Sequence, residues 1–166
     1  MRKLIRDVRV ADLETVLELN QSEVPHVGSI DLERMNWFAE HAHYFRVVES
    51  AEKIVAYLIG LRPGTSYSSP NYRWFCDRYN DFAYVDRVAV DPAVRRGGLA
   101  GSLYDDFAAT LPPTVAIMTC EVNIRPPNDI SMRFHQRRGF TQVGTLASAD
   151  GSKEVALLLK PLSIGA

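Results

Sequence analysis

Hydrophobic positions along the chain change their period several times, and each change marks an element. Lys3 to Val10 alternates loosely and predicts a first strand. From Ala11 to Asn20, positions Leu13, Val16, Leu17 and Asn20 recur at helical spacing, which predicts a short amphipathic helix. Gln21 to Ser29 holds Pro25 and Gly28 and predicts a loop. Asp31 suits the N-cap of a second helix, Leu32 to His41, with Met35 and Phe38 on one face and Trp37 nearby. Tyr44 to Glu49 and Ile54 to Leu61 are apolar runs of strand length. The short polar link Ser50-Ala51-Glu52-Lys53 between them predicts an antiparallel hairpin.

The centre of the chain reads as strand, turn and helix. The strand is Phe82 to Val90, the turn Asp91 to Gly98, and the helix carries Leu99, Leu103 and Phe107 on one face. Pro112-Pro113 stops that helix. Thr114 to Val122 predicts another buried strand, and Asn123 to Pro127 a stiff loop. Asn128 suits the N-cap of a helix to Arg138, with Gly139 at its C′ position. Phe140 to Leu146 and Glu154 to Leu159 predict two closing strands, joined by the polar loop Ala147 to Lys153.

One stretch resists this reading. Residues 62–80 hold Pro63, Gly64 and Pro70, but also Tyr67, Tyr72, Trp74, Phe75 and Tyr79. That is too aromatic for a disordered linker. It predicts an ordered insertion with one helical turn around Trp74 to Tyr79. Such loops are often functional.

The resulting order is β-α-α-β-β-insertion-β-α-β-α-β-β. The central β-α-β unit demands a right-handed parallel crossover, whereas the hairpins are antiparallel. The expectation is an α/β (α+β) domain over residues 1–166, with one mixed sheet and helices on both faces. A length of 166 residues fits one domain, and 46% hydrophobic content supports a core. The net charge of −1 offers no electrostatic reason to expect nucleic acid as a partner. Two cysteines make no disulfide framework, and the four histidines form no recognisable metal motif, so no metal is expected. The charged N-terminal segment has no signal-peptide core, and no apolar run is long enough to span a membrane. A cytoplasmic protein is expected.

The turn into the central helix carries the clearest chemistry. A helix N-terminus presents unpaired N–H groups and the positive end of its dipole. Gly97 and Gly98 allow close approach to a phosphate, and Arg95 and Arg96 add permanent positive charge. A diphosphate-bearing ligand is expected here. The loop is neither a Rossmann G-x-G-x-x-G turn nor a P-loop. An ordinary turn with solvated arginines is the bland alternative.

The pattern Arg95-x-x-Gly98-x-Ala100 resembles the pyrophosphate loop of the GNAT N-acetyltransferase superfamily, Gln/Arg-x-x-Gly-x-Gly/Ala. A second segment resembles the family's closing signature: Asn128-x-x-Ser131-x-x-Phe134-His135, then Gly139-Phe140. The element order is similar across almost the whole chain. Tyr84 to Val88, Cys120 to Asn123 and Arg125 to Asn128 look like a branch known only as predicted acetyltransferases. The resemblance implies the acyl-CoA N-acyltransferase fold: a mostly antiparallel sheet whose central parallel pair splays apart. It implies acetyl-CoA as cofactor, with the diphosphate on Arg95, Arg96, Gly97, Gly98, Leu99, Ala100 and Gly101. Pantetheine would bond to the backbone of Val88, Ala89 and Val90 like an added strand. Asn128, Ser131 and His135 would line its arm, and a backbone N–H near Val88 would polarise the thioester. The acceptor, a small-molecule or peptide amine, would attack directly in a ternary complex.

Two proton-transfer roles then need residues. The family usually places a tyrosine where this chain has His135, which implies His135 as general acid; packing, or a bond to a backbone carbonyl, is the alternative. Relatives carry a base on the central strand where this chain has Tyr84. Asp86 and Glu121 are the nearby carboxylates, and each has an arginine, Arg87 or Arg125, that could neutralise it instead. Asn20 and Glu23 are candidates for gripping the acceptor. Tyr72 and Trp74 of the insertion would form a lid or pocket wall, or else a cluster that pins the loop or a dimer contact. Edge strands near the C-terminus suit a homodimer. A non-catalytic acyl-CoA sensor and a nucleotide-binding domain are the competing functions.

Overall fold

The computed structural model describes residues 2–163. Seven strands and five α-helices occur among them: β1 Lys3–Asp7, α1 Leu13–Ser22, α2 Leu32–His41, β2 Tyr44–Ser50, β3 Lys53–Leu61, α3 Pro70–Arg78, β4 Ala83–Val90, α4 Leu99–Thr110, β5 Ile117–Arg125, α5 Asp129–Arg137, β6 Thr141–Ala147 and β7 Glu154–Pro161. They form one mixed sheet in the order β1-β2-β3-β4-β5-β7-β6. β4 and β5 are parallel, and their ladder covers two pairs, Ala83 with Met118 and Tyr84 with Thr119. The β1–β2, β2–β3, β5–β7 and β7–β6 pairs are antiparallel. No helix among the described residues is long and apolar enough to cross a membrane.

The chain divides into two compact units, Met1–Leu61 with Val85–Thr110, and Arg62–Tyr84 with Leu111–Ala166. In the first unit, β3 is buried from Val55 to Leu61. A continuous apolar run of this kind belongs to a strand covered on both faces. Residue parity assigns the covers. Tyr57 donates its hydroxyl to Asn20 of α1, so the odd positions of β3 face α1. Gly60, of opposite parity, lies under the Phe107 ring of α4, where a Cβ would come within 2.5 Å of Phe107 Cε2. Asp31 caps α2, accepting from Arg34 N at 2.8 Å. The β2–β3 hairpin turns through Ala51 and Glu52, with φ of 50° and 62°. Two left-handed central residues make a tight turn that matches the strand twist.

The second unit contains the aromatic insertion, which holds more helix than the single turn expected. Ser69 accepts from Tyr72 N, and Pro70 occupies the first turn, where its missing N–H costs nothing; the nine-residue α3 follows. Tyr72 and Phe75 are fully buried and pack with Phe82 and Tyr84, at ring separations of 5.4–6.2 Å. Arg62 pairs with Asp81 at 2.7 Å and ties the two ends of the insertion together.

Other boundaries also differ from expectation: α1 runs on to Ser22, into the expected loop, and β5 starts at Ile117 instead of Thr114. β1 ends at Asp7, and a 3-10 turn at Val10–Asp12 leads into α1. Asp12 draws the chain round by accepting from Arg9 N and pairing with Arg6. β5 runs past Val122 to Arg125, because β7 supplies partners for Asn123 and Arg125 around a bulge. β7 likewise extends to Pro161. Gly139 follows α5 with φ +92°, as its C′ role requires.

Candidate active site

The expected site residues fall into two groups, one in each compact unit. In the first unit the turn into α4 has the expected build. Asp91 caps a 3-10 turn at Pro92–Val94, accepting from Ala93 N. Arg96 and Gly98 then take left-handed conformations, with φ of 72° and 75°. Gly97 lies between them. Backbone alternating in this way turns successive N–H groups toward one side, forming an anion-binding concavity. α4 begins at Leu99, and the N–H groups of its first turn, at Leu99, Ala100 and Gly101, are those a helix leaves without intrahelical acceptors. Among the described residues, no neighbour lies within 4 Å of the position a Cβ would take at Gly98. A Cβ at Gly97 would lie 3.0 Å from Lys3 Nζ. Thus β1 brings a third cation to the loop beside Arg95 and Arg96. Lys3 is not legible as a site residue in the sequence, since 93 residues lie between it and Gly97 and only strand pairing brings it near. This donor set, cations plus convergent N–H groups in open space, fits a diphosphate.

Arg95 itself is engaged. Its Nε donates to Val90 O at 3.2 Å, and its terminal nitrogen pairs with Glu23. Glu23 closes α1, and Asn20 lies one turn earlier. Asn20 is fully buried. It accepts from Tyr57 Oη at 2.6 Å and from Arg87 at 3.0 Å, and donates to Gly28 O at 3.1 Å. Arg87 also donates to Gly28 O and pairs with Asp86 at 2.7 Å. The Arg87 and Asp86 side chains are 8% and 3% exposed. Asn20 therefore anchors the α1–α2 loop from inside, and Asp86 belongs to a buried ion pair. Val88 and Val90 of β4 are half-buried, and Ala89 is buried.

In the second unit, Tyr84 Oη donates to Glu121 Oε2 at 2.7 Å. Tyr84 is fully buried, whereas Glu121 is half-buried. Tyr72 donates its hydroxyl to Arg62 O at 2.7 Å and shares in the aromatic cluster. Trp74 packs on β6, where a Cβ at Gly144 would lie 2.6 Å from its ring, and the Arg78 guanidinium carbon lies over the ring, 3.9 Å from its centroid. Tyr72 thus packs within the insertion's own aromatic cluster and Trp74 against β6.

Asn128 caps α5, accepting from Ser131 N at 3.2 Å. His135, one turn after Ser131, is buried, and its Nδ1 lies 2.7 Å from Ser131 O. A carbonyl can only accept, so Nδ1 carries the proton. Burial, chiefly, lowers the His135 pKa, against the opposing effect of the Ser131 carbonyl. His135 thus makes the bond to a backbone carbonyl that the sequence left open as the alternative to a general acid.

The profile of the acetyltransferase (GNAT) family matches residues 12–140. No curated protein sequence matches the chain significantly. Solved structures share the fold at low identity. The ribosomal-protein-S18-alanine N-acetyltransferase from Escherichia coli aligns with a TM-score of 0.73 and 16% identity, over 99% of this chain and 97% of that one. Naa20 from Chaetomium thermophilum, in complex with a bisubstrate analogue, gives 0.74 and 21%, over 96% and 86%. YncA from Salmonella typhimurium, a putative acetyltransferase with its cofactor acetyl-CoA, gives 0.68 and 19%, over 100% and 97%.

Proposed function

The chain belongs to the GNAT acetyltransferase family, and we propose that it is an N-acetyltransferase that moves the acetyl group of acetyl-CoA to a primary amine. The observation that carries this reading is the Arg95–Gly101 turn. It combines left-handed residues at Arg96 and Gly98, a helix N-terminus and three clustered cations. Similar proteins bind acetyl-CoA or a bisubstrate analogue, by their own descriptions.

In this reading Arg95, Arg96 and Lys3 hold the diphosphate, together with the N–H groups from Gly97 to Gly101. The backbone of Val88, Ala89 and Val90 holds the pantetheine arm as an added strand, and Asn128 and Ser131 contact it from α5. When bound, acetyl-CoA supplies an acetyl thioester open to nucleophilic attack. Glu121 accepts the proton that the acceptor's ammonium must lose, directly or through one water, and Tyr84 orients the carboxylate by its hydrogen bond. Glu23 grips the acceptor. Asp86 is not assigned as the base, because its charge is matched by Arg87. Residues 1–166 act as one catalytic domain. The acceptor is a small-molecule or peptide amine, and the enzyme works in the cytoplasm, where cysteines outside disulfides, such as Cys76, persist.

Calorimetric titration tests the reading. Saturable, near-stoichiometric binding of acetyl-CoA, with ATP silent, supports it and justifies an amine screen read by thiol release. No acetyl-CoA binding by folded protein overturns it. A non-catalytic acyl-CoA sensor is the second reading. The engagement of Asp86 by Arg87 and of His135 Nδ1 by the Ser131 carbonyl favours it, and tight acetyl-CoA binding without turnover on any amine would establish it.

A further inference from the structure

Arg95 engages two groups that the proposed function assigns to ligands. Its Nε bonds the Val90 carbonyl, part of the backbone given to pantetheine, and its terminal nitrogen pairs with Glu23, the residue given to the acceptor. Arg95 is itself assigned to the diphosphate. One guanidinium thus links the cofactor's place to the acceptor's place, all within the first compact unit.

We infer that the Arg95–Glu23 ion pair is a latch: diphosphate binding draws Arg95 away, and the released Glu23 carboxylate then takes the acceptor as an ammonium. The inference rests on the acetyl-CoA reading. The exchange is physically balanced. Arg95 is 48% exposed and free to swing, whereas Glu23 is only 16% exposed. A diphosphate offers the guanidinium more charge than one carboxylate, and planar bidentate geometry besides. A largely buried carboxylate that loses its cation is destabilised until another cation replaces it. The loop that carries Glu23 is anchored independently of Arg95. Gly28 O accepts from Asn20 at 3.1 Å and from Arg87 at 3.0 Å, and Glu23 O accepts from His26 N and Val27 N. When Arg95 leaves, the loop stays in place and only the charge of Glu23 is uncovered. The acceptor class is therefore a cationic primary amine, and it binds after acetyl-CoA.

The test is a double-mutant cycle of CoA affinity, measured by calorimetry on wild type, Glu23→Gln, Arg95→Gln and the double variant. The latch predicts that Glu23→Gln tightens CoA binding about three- to fivefold, the range of partly exposed ion pairs. It predicts no tightening when Arg95 is already glutamine. Equal tightening in both backgrounds makes Glu23 a mere negative charge near the diphosphate, and overturns the latch. Unchanged or weaker binding by Glu23→Gln also overturns it, while the acetyl-CoA reading survives. Failure of the wild type to bind CoA sinks that reading and the latch together. For the amine selected by the thiol-release screen, Glu23→Gln should raise KM for the amine; an unchanged KM removes Glu23 from the acceptor site.

Discussion

Tyr84 and Glu121 meet across the parallel β4–β5 pairing, with the phenol donating to the carboxylate at 2.7 Å. Thr119 is the register partner of Tyr84, and Glu121 lies two residues on, on the same face of β5. If Glu121 is the base, Glu121→Gln should lower turnover about 10²- to 10⁴-fold, the usual worth of a positioned base. Acetyl-CoA affinity should stay within about twofold, since the amide keeps the shape. Tyr84→Phe should cost less, because it removes the orienting group and not the proton acceptor. Thiol-release kinetics on the three proteins decides; undiminished turnover in Glu121→Gln removes it from the reaction.

The Asp86–Arg87 pair makes a stability prediction. Both side chains are almost fully buried, so removing one strands the other's charge. Arg87→Met should destabilise the protein by about 3–5 kcal/mol. Asp86→Asn combined with Arg87→Met should recover part of that loss. Urea denaturation of the single and double variants reads the coupling; a double variant no more stable than Arg87→Met alone would show that the pair's charges are not what matters.

His135 gives the stability a pH dependence of definite sign. Burial lowers its pKa in the folded chain below the ordinary value of 6.5. Above about pH 6.5 both states hold the neutral ring and nothing is lost. As pH falls below that, the unfolded chain takes up the proton first, and stability drops until the folded-state pKa is passed. His135→Gln should lose less stability than wild type between about pH 6.5 and pH 5. Denaturation midpoints at the two pH values provide the check, and parallel losses would contradict it.

Gly60 is required by packing. Its virtual Cβ falls within 2.5 Å of Phe107 Cε2, and Phe107 is fully buried and cannot swing clear. Gly60→Ala should cost about 1–3 kcal/mol. A thermal scan showing a wild-type melting temperature would mean that α4 shifts on β3 without cost.

Gly98 is required by conformation. Its φ of +75° disfavours any side chain, but among the described residues no neighbour lies within 4 Å of its Cβ position. Gly98→Trp should therefore fold with only a modest loss of stability and fill the space assigned to the diphosphate. Calorimetry should show acetyl-CoA binding abolished; normal binding would refute the loop assignment.

Local chemistry made much of this protein legible in its sequence. The periods of β3, α1 and α4 follow from which residues repel water. The caps at Asp31 and Asn128, and Gly139 at a helix end, follow from which groups satisfy helix termini. The turn before α4 announced itself because its glycines and arginines are contiguous. The insertion's helix was less legible, since aromatic clusters obey no short period and Tyr72 and Phe75 find partners in β4. Tertiary structure alone decided which charges are spent. Whether Asp86 is matched by an arginine, whether Glu121 meets Tyr84, whether His135 Nδ1 meets the Ser131 carbonyl, and whether Lys3 reaches Gly97 all depend on distances of a few ångströms between strands and helices. Hydrophobic pattern places elements but does not set those distances. Packing sets them, and with them the protonation and pairing on which the chemistry depends.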